Sequence, residues 1–397
     1  MDYDIAIIGG GPAGIMAAIA SGKASNVILL EKNSSLGKKL LLTGGGRCNI
    51  TNNKSPKKLL TFFDEKHFLK HSFFTFTNED LFDLFDFDFI EEDNNRVFPK
   101  SRKSIDVLNG LKKHLKKVEI RLNYEVTKIS DNFVINDEIR AEKVIIATGG
   151  VTYPQTGCNI DNYSLTDHPL TKIKYGLVPL ITKEDLSDIA GVTLNDVECI
   201  YKKSKVKGDV LISHVGLTGP GIIDLSNKIS KDIDYDILEN DCSLGCEIAI
   251  DLIPDLSRED LKSKFDKDFH EKGKTQIKNY LKYFLSNNFI AYFLNRIDIA
   301  SDTQLSRINK KEKNRLIETL KRFTFEIVDF NRDLAKITIG GIDLKNINPK
   351  TMESKLTPNM YFAGETMDLD GPTGGYNLKI AFSTGYLAGL SASEKNY

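Results

Sequence analysis

A chain of 397 residues is long enough for two or three domains, each able to bury a core. Apolar residues make up 41% and charged residues 27%, the composition of an ordinary globular protein, so fibrous and disordered classes are excluded. A formal net charge of −1 excludes a global electrostatic pull toward nucleic acid or an anionic membrane.

Residues 4–8 read as a short buried strand, 12–23 as a helix rich in Ala and Gly, and Val27–Leu30 as a second buried strand ending at Glu31. Residues 34–54 are loop-like. Residues 57–92 alternate Phe and Leu with acids, which predicts amphipathic helices with Phe inward. Ile105, Leu108, Leu111 and Leu115 recur at helical spacing and predict a helix from Lys103 to Lys117. Strands are expected near 118–122, 124–129 and 132–135, with a buried one at Lys143–Ala147. Residues 191–255 look like short strands with polar turns, a β-rich insert; residues 256–335 have helical spacing, a helical insert. After 335 the Gly-rich, buried texture of the N-terminus returns. The expected architecture is therefore an α/β nucleotide-binding domain made of residues 1–190 and 336–397, interrupted by the two inserts.

The segment Gly9-Gly10-Gly11-Pro12-Ala13-Gly14 satisfies GxGxxG after a strand and at the start of a helix. Gly9 permits the tight turn, Gly11 lets a pyrophosphate approach the backbone, and Gly14 lets helix and strand pack closely. The anion then sits on the helix N-terminus, together with Pro12 and Ala13. Glu31 falls where a ribose would be bound. Ala147-Thr148-Gly149-Gly150 closes another hydrophobic strand. Near the C-terminus, Gly364-Glu365 follows a strand, and Glu365 is suited to a ribityl hydroxyl. Gly374-Gly375-Tyr376-Asn377-Leu378 opens a helix whose N–H groups would favour a reduced, anionic flavin ring. This C-terminal return points to FAD rather than to an NAD dehydrogenase.

These stretches resemble the bacterial flavoproteins known as BaiN-like NAD(P)/FAD-dependent oxidoreductases. Gly37-Lys38-Lys39, the run Thr43-Gly44-Gly45-Gly46-Arg47-Cys48-Asn49-Ile50-Thr51-Asn52 and Arg96-Val97-Phe98-Pro99 carry the likeness, followed by Tyr153-Pro154-Gln155-Thr156-Gly157 and His214-Val215-Gly216-Leu217-Thr218-Gly219-Pro220. The motifs occur in the family's order along nearly the whole chain. The resemblance implies a Rossmann-type FAD-binding domain of the two-dinucleotide type, with an inserted β-barrel-like domain and a helical one. It extends the expected cofactor contacts to Lys32, Lys38, Gly44, Gly45, Arg47, Cys48, Asn49, Val126, Gly149 and Asp368; Arg47 itself reads as neutralising either the pyrophosphate or a substrate anion. Two departures stand out: Cys158-Asn159-Ile160-Asp161-Asn162 replaces a Gly-rich stretch, and Lys379 stands where the family often has Gln.

Two residues are candidates for catalysis. Cys48 is placed to give a proton opposite the hydride, or else is a small buried hydrophobe. His214 is either a proton donor facing the flavin or a structural bond to its turn. His168 reads as a loop residue, and Tyr376 either contacts substrate or packs. Five scattered cysteines, Cys48, Cys158, Cys199, Cys242 and Cys246, show no disulfide framework. The CxxxC pair Cys242–Cys246 lacks a histidine cluster, so no metal is expected. Signal-peptide regions and membrane-length apolar runs are lacking, which predicts a cytoplasmic protein without membrane contact.

The expected activity is reduction of a conjugated C=C bond by reduced flavin, with NAD(P)H binding transiently as reductant because only one GxGxxG is present. Relatives of the family are linked to uridine reduction in ribosomal RNA and to reduction of steroid-type enones. Basic clusters at Lys100–Lys117, Lys202–Lys207 and Lys310–Arg322 read either as solvated faces or as an RNA-tracking surface, which inclines the reading to RNA. The alternatives are a small-molecule enone reductase and a non-catalytic flavin-binding interaction protein.

Overall fold

The computed structural model describes residues 2–22, 26–237 and 244–394. It contains two compact units, one running to Lys174 and resuming at Lys336, the other spanning Tyr175–Ala335. Cys242 lies outside the described residues, so the Cys242–Cys246 pair is not described.

In the first unit, Asp2–Ile8 and Val27–Leu30 are strands whose residues are buried almost without interruption. Such runs suit a parallel sheet covered on both faces, which needs apolar side chains in both directions. The parallel part runs in the order Glu119–Arg121, Val27–Leu30, Asp2–Ile8, Ile139–Ile146, Met360–Phe362. The short strands Ile129–Ser130 and Val134–Ile135 join antiparallel on the early half of Ile139–Ile146. Of the strand expected over 124–129, only Ile129 is in a strand. The Phe-rich stretch gives the helices Lys66–Thr75 and Asn78–Phe82, but Phe89–Glu92 is a strand pairing with Arg96–Pro99. There antiparallel pairing with Arg96–Pro99 overrides helical spacing.

Pro at the first turn opens the helix Pro12–Ser21, a position where the missing N–H costs nothing. Against it lies the helix Tyr376–Ser393. A Cβ on Gly385 or Gly389 would lie 2.2 Å from the carbonyl oxygen of Ala13 or Ala17. The two helices therefore touch backbone to backbone, and small residues on both make this possible.

The second unit is a closed six-stranded barrel. Its order is Leu180–Thr182, Gly216–Thr218, Ser204–Ile212, Thr193–Tyr201, Cys246–Asp251, Phe323–Phe330, and back to Leu180–Thr182. Between the last two strands in sequence come the helices Arg258–Glu271, Ile277–Leu281, Asn287–Arg296 and Lys310–Lys321. Side chains of barrel and helices, among them Ile250, Phe265, Phe289 and Phe325, form one hydrophobic cluster. The expectation of a β-rich insert over 191–255 followed by a helical one over 256–335 needs correcting on this point. Strand 323–330 closes the barrel, strand 180–182 precedes the expected boundary, and the helices are an excursion packed on the same core. The helix Pro220–Asp232 was also missed within the β-rich stretch. Its signals are Pro220 at the first turn and Ile222, Leu225 and Ile229 at helical spacing.

Candidate cofactor site

In register, Ile8 stands beside Leu30 and Ile146, and Ile146 beside Phe362. The turns that follow, at Gly9, Glu31, Ala147 and Ala363, therefore gather at the carboxyl edge of the parallel sheet, where open α/β sheets bind ligands. A cleft enclosing about 1260 Å³ out to its open mouth lies there. Gly9, Gly11, Pro12 and Ala13 line one side, and Glu31, Lys32, Lys38 and Val126 another. Ala147, Thr148, Gly149, Glu365, Asn377 and Leu378 complete the expected residues on its wall.

The three motif glycines are not equivalent. A Cβ at Gly14 would lie 1.8 Å from the Gly9 carbonyl oxygen, and one at Gly9, whose φ is +105°, 2.4 Å from that of Ala147. A Cβ at Gly11 would meet nothing within 4 Å. Two glycines are thus demanded by packing, and the third keeps an open cradle at the helix N-terminus. That is the shape a bound pyrophosphate needs. A second observation agrees with a missing partner: the Tyr163 hydroxyl is buried and makes no hydrogen bond. Its neighbours Asn162 and Leu165 line the cleft, and burial pushes its pKa well above the usual tyrosine value.

Glu31 is buried, with Oε2 accepting from the Gly10 N–H at 2.7 Å and Oε1 from the Asn33 N–H at 2.7 Å and side chain at 2.6 Å. The Asn33 side chain also accepts from Lys38 at 2.9 Å. Glu365 accepts from the Thr338 N–H at 2.7 Å and from Lys39 at 2.7 Å, and Lys39 also donates to Thr152. Burial is the largest influence and works against the Lys39 ammonium, but Glu365, Cys158 and Tyr153 together hold its pKa above the ordinary lysine value. Lys39 and Asn33 line the cleft, as do Thr43, Tyr124, Cys158 and Asn162. Sequence reading had not assigned Asn33, Lys39 and Tyr124 to the cofactor. Lys39 stood beside Lys38 in a quoted motif, and Cys158 in the stretch that departs from the family.

Several expected contacts support the wall from behind. Gly14 packs under the first turn. Gly364, with φ +72°, would bring a Cβ to 2.7 Å from that of Ala13. A Cβ on Gly375 would meet the Thr51 carbonyl at 2.4 Å. With its amide oriented by this network, the Asn49 side chain bridges the carbonyls of Val97 and Thr51 to the Gly375 N–H. Asn377 ties its own loop, accepting from Gly371 and donating to Gly371 and Pro372. Tyr376 is buried against Phe62 and Phe63. Gly44, Gly45, Arg47, Cys48 and Asp368 are also absent from the wall.

Cys48 is fully buried, with φ +59°, and burial pushes its thiol up to about 12 despite a hydrogen bond with Thr43. Its place is that of a small buried side chain. His214 is exposed in the barrel unit. His168, read as a loop residue, is buried, with Nδ1 on Thr166 and Nε2 2.6 Å from the Ser354 hydroxyl. About half of the cations in the basic clusters are paired with acids, among them Lys100 with Asp88, Lys113 with Asp86, Lys202 with Asp232, Lys205 with Glu198, Lys207 with Asp255, Lys313 with Asp266, and Arg322 with Glu247. Among the described residues no group of His, Cys, Asp and Glu is placed to hold a metal, and no helix is long and apolar enough to cross a membrane.

The model of the HI0933-like protein Rossmann domain matches residues 3–391. The chain belongs to this family. Among its curated relatives is the 3-dehydro-bile acid delta(4,6)-reductase of Clostridium scindens, 27% identical over 98% of this chain and 99% of that one. The ribosomal RNA dihydrouridine synthase of Escherichia coli is 28% identical over 97% and 96%, and that of Haemophilus influenzae 26% over 98% of each. The protein is an FAD-dependent oxidoreductase with a Rossmann-type flavoprotein fold.

Proposed function

We propose that the protein holds FAD in this cleft and reduces a C=C bond conjugated to a carbonyl, with uridine in ribosomal RNA as its substrate. The observation that carries the cofactor reading is the open cradle at Gly11 between two glycines closed by packing. The reaction reading is supported by relatives named for a delta(4,6)-reductase and for dihydrouridine synthesis, both of which saturate a ring double bond. Bound FAD, once reduced, supplies hydride.

The chain's own residues bind and orient. The free N–H groups of Ala13 and Gly14 at the start of the glycine helix, with Lys32 and Lys38, meet the pyrophosphate charge. Glu31, held by Gly10 and Asn33, keeps a lone pair of Oε2 for a ribose hydroxyl. The Lys39–Glu365 pair offers a fixed donor and acceptor on the same wall. Burial pushes the Cys158 thiol up, with Lys39 opposing, so this thiol keeps its proton at neutral pH.

The test starts from the absorption spectrum of the purified protein and release of its cofactor. FAD is expected. The holoprotein is then given NADPH or NADH with ribosomal RNA, and in parallel with a 3-keto-4,6-diene steroid. A gain of two hydrogens on one uridine, read by mass spectrometry of the digested RNA, is the expected result. Turnover of the steroid alone would replace RNA with a small-molecule substrate. A colourless protein that takes up no FAD would sink the proposal.

A further inference from the structure

The loop that carries Thr43 into the cleft continues through Gly44, Gly45 and Gly46, all with positive φ, to Arg47. A Cβ at Gly45 or Gly46 would meet nothing within 4 Å, so the backbone here faces open space. Three guanidiniums surround a single carboxylate beside it. Arg102 reaches Glu92 Oε1 at 2.9 Å, while Arg47 and Arg96 approach Oε2 at only 3.6 and 3.9 Å. The neighbouring Glu91 is occupied by the side chains of Asn53 and Asn95.

One carboxylate cannot neutralise three cations, and Arg102 has the close contact. Beyond these longer ion pairs, Arg47 and Arg96 hydrogen-bond through Nε alone, to the Gly44 and Asp93 carbonyls. Among the described residues their Nη groups make no hydrogen bond. Both side chains pack on Phe98, with guanidinium carbons 4.7 and 6.0 Å from its ring centre, which holds the two forks side by side. Each is more than a third exposed. Two neighbouring, partly exposed guanidinium forks whose Nη groups make no hydrogen bond suit phosphate, which accepts bidentate bonds.

The patch continues into an aromatic surface. The Arg96 stem lies 3.9 Å from where a Cβ of Gly374 would be, and the Tyr376 ring lies 3.4 Å from the same point. Phe62 packs on Tyr376 at 4.9 Å and is 41% exposed, with Lys54 5.3 Å from its ring. Thr43 at one end and Asn377 at the other both line the cleft, so the patch borders its wall. Interleaved cations and an exposed ring are what a single-stranded nucleic acid requires, the cations for its backbone and the ring for a base.

We infer that Arg47 and Arg96 seat phosphodiester groups of an RNA strand beside the cleft, and that Phe62 stacks on one of its bases. This rests on the reading of the substrate as RNA. It moves RNA recognition away from the basic clusters of the barrel unit, more than half of whose lysines are paired, and chooses the substrate over the pyrophosphate for Arg47.

The experiment measures the affinity of FAD-loaded protein for a fluorescein-labelled, uridine-containing RNA oligonucleotide across a salt series, with dihydrouridine formation scored on the same RNA. The wild type is compared with Arg47→Ala, Arg96→Ala, the double variant, Arg47→Lys and Phe62→Ala. Each alanine variant of an arginine is expected to lower the slope of log affinity against log salt by about 0.7 to 1, and the double variant by about twice that. Arg47→Lys keeps the slope, because it keeps the charge. Phe62→Ala weakens binding about tenfold at unchanged slope. Flavin absorbance and thermal melting exclude misfolding.

A wild type that forms dihydrouridine while the double variant keeps the full slope would overturn the arginine seat alone. A wild type that binds with the expected slope but forms no dihydrouridine would overturn the substrate reading alone. No RNA binding at low salt would overturn both. If the double variant changed only the preference for NADPH over NADH, the arginines would hold a nicotinamide phosphate, and the RNA seat would be wrong.

Discussion

In the barrel unit Lys321 keeps its ammonium 2.7 Å from the Asp251 carboxylate and within 2.8 and 2.6 Å of the carbonyls of Ile253 and Leu256. In the dinucleotide-binding unit Lys379 is fully buried, donates to the Phe76 carbonyl at 2.7 Å, and otherwise faces the rings of Phe73 and Phe76. The contrast extends beyond these two residues. Barrel lysines such as Lys202, Lys205 and Lys207 each have an acid at hydrogen-bond distance, whereas the first unit leaves the Tyr163 hydroxyl without a partner and the Nη groups of Arg47 and Arg96 no nearer than 3.6 Å to the Glu92 carboxylate. A unit that cancels its charges in place needs nothing further. One that keeps bonding capacity beside a cleft is suited to a ligand.

The largest effect is expected where that cancellation is broken. Lys321→Met leaves Asp251 about one-tenth exposed and without its cation, so a loss of about 3–5 kcal/mol is expected. Urea unfolding of the wild type and the variant measures it. A loss below about 1 kcal/mol would mean that Asp251 finds water or another donor, and the contrast between the units would weaken.

Lys379 should respond to pH instead. Burial lowers its pKa from 10.5 to about 7, with only Asp80 opposing. Between those values the unfolded chain carries a proton that the native protein lacks, so stability rises with pH. The rise is about 1.4 kcal/mol per unit for this group. Below about pH 7 the lysine is charged in both states and contributes no slope. The difference between wild type and Lys379→Met, measured by denaturation at pH 7 and pH 9, isolates the contribution from other titrating groups. Equal slopes would show that the lysine stays charged, with water or a shifted Asp80 beside it.

What the sequence revealed and what it hid follow from distance along the chain. Gly9, Gly11, Gly14 and Glu31 were legible because strand, turn, helix and next strand are consecutive, and their spacing carries the chemistry. The small residues of the C-terminal helix repeated the same signal. Lys39 was hidden because its partner Glu365 lies 326 residues away, and a lysine beside another lysine gives no hint of which one turns inward. Arg47 was expected beside the cofactor, but no local pattern shows that Phe98 and Glu92 hold it outside the cleft wall. The barrel's closing strand was concealed because the helices between Cys246–Asp251 and Phe323–Phe330 separate it from its partners. The helix Pro220–Asp232 was lost among strands although Pro220 marked its start.

The smallest expected effect has two opposite signs. Removing the Tyr163 hydroxyl deletes a buried polar group that has no partner in the protein, so Tyr163→Phe should leave the apoprotein as stable or stabilise it by about 1 kcal/mol. With the cofactor in place the same change should weaken binding, because Asn162 and Leu165 on either side of Tyr163 line the cleft and the hydroxyl has a hydrogen bond to give. A net hydrogen bond is worth about 1 kcal/mol, or roughly fivefold in affinity. Melting of the apoprotein and fluorescence titration with FAD read the two halves separately. A more stable apoprotein with weaker FAD binding would identify the hydroxyl as capacity held for the ligand. A more stable apoprotein with unchanged FAD binding would make Tyr163 a packing residue, and the first unit's spare bonding capacity would then rest on its arginines.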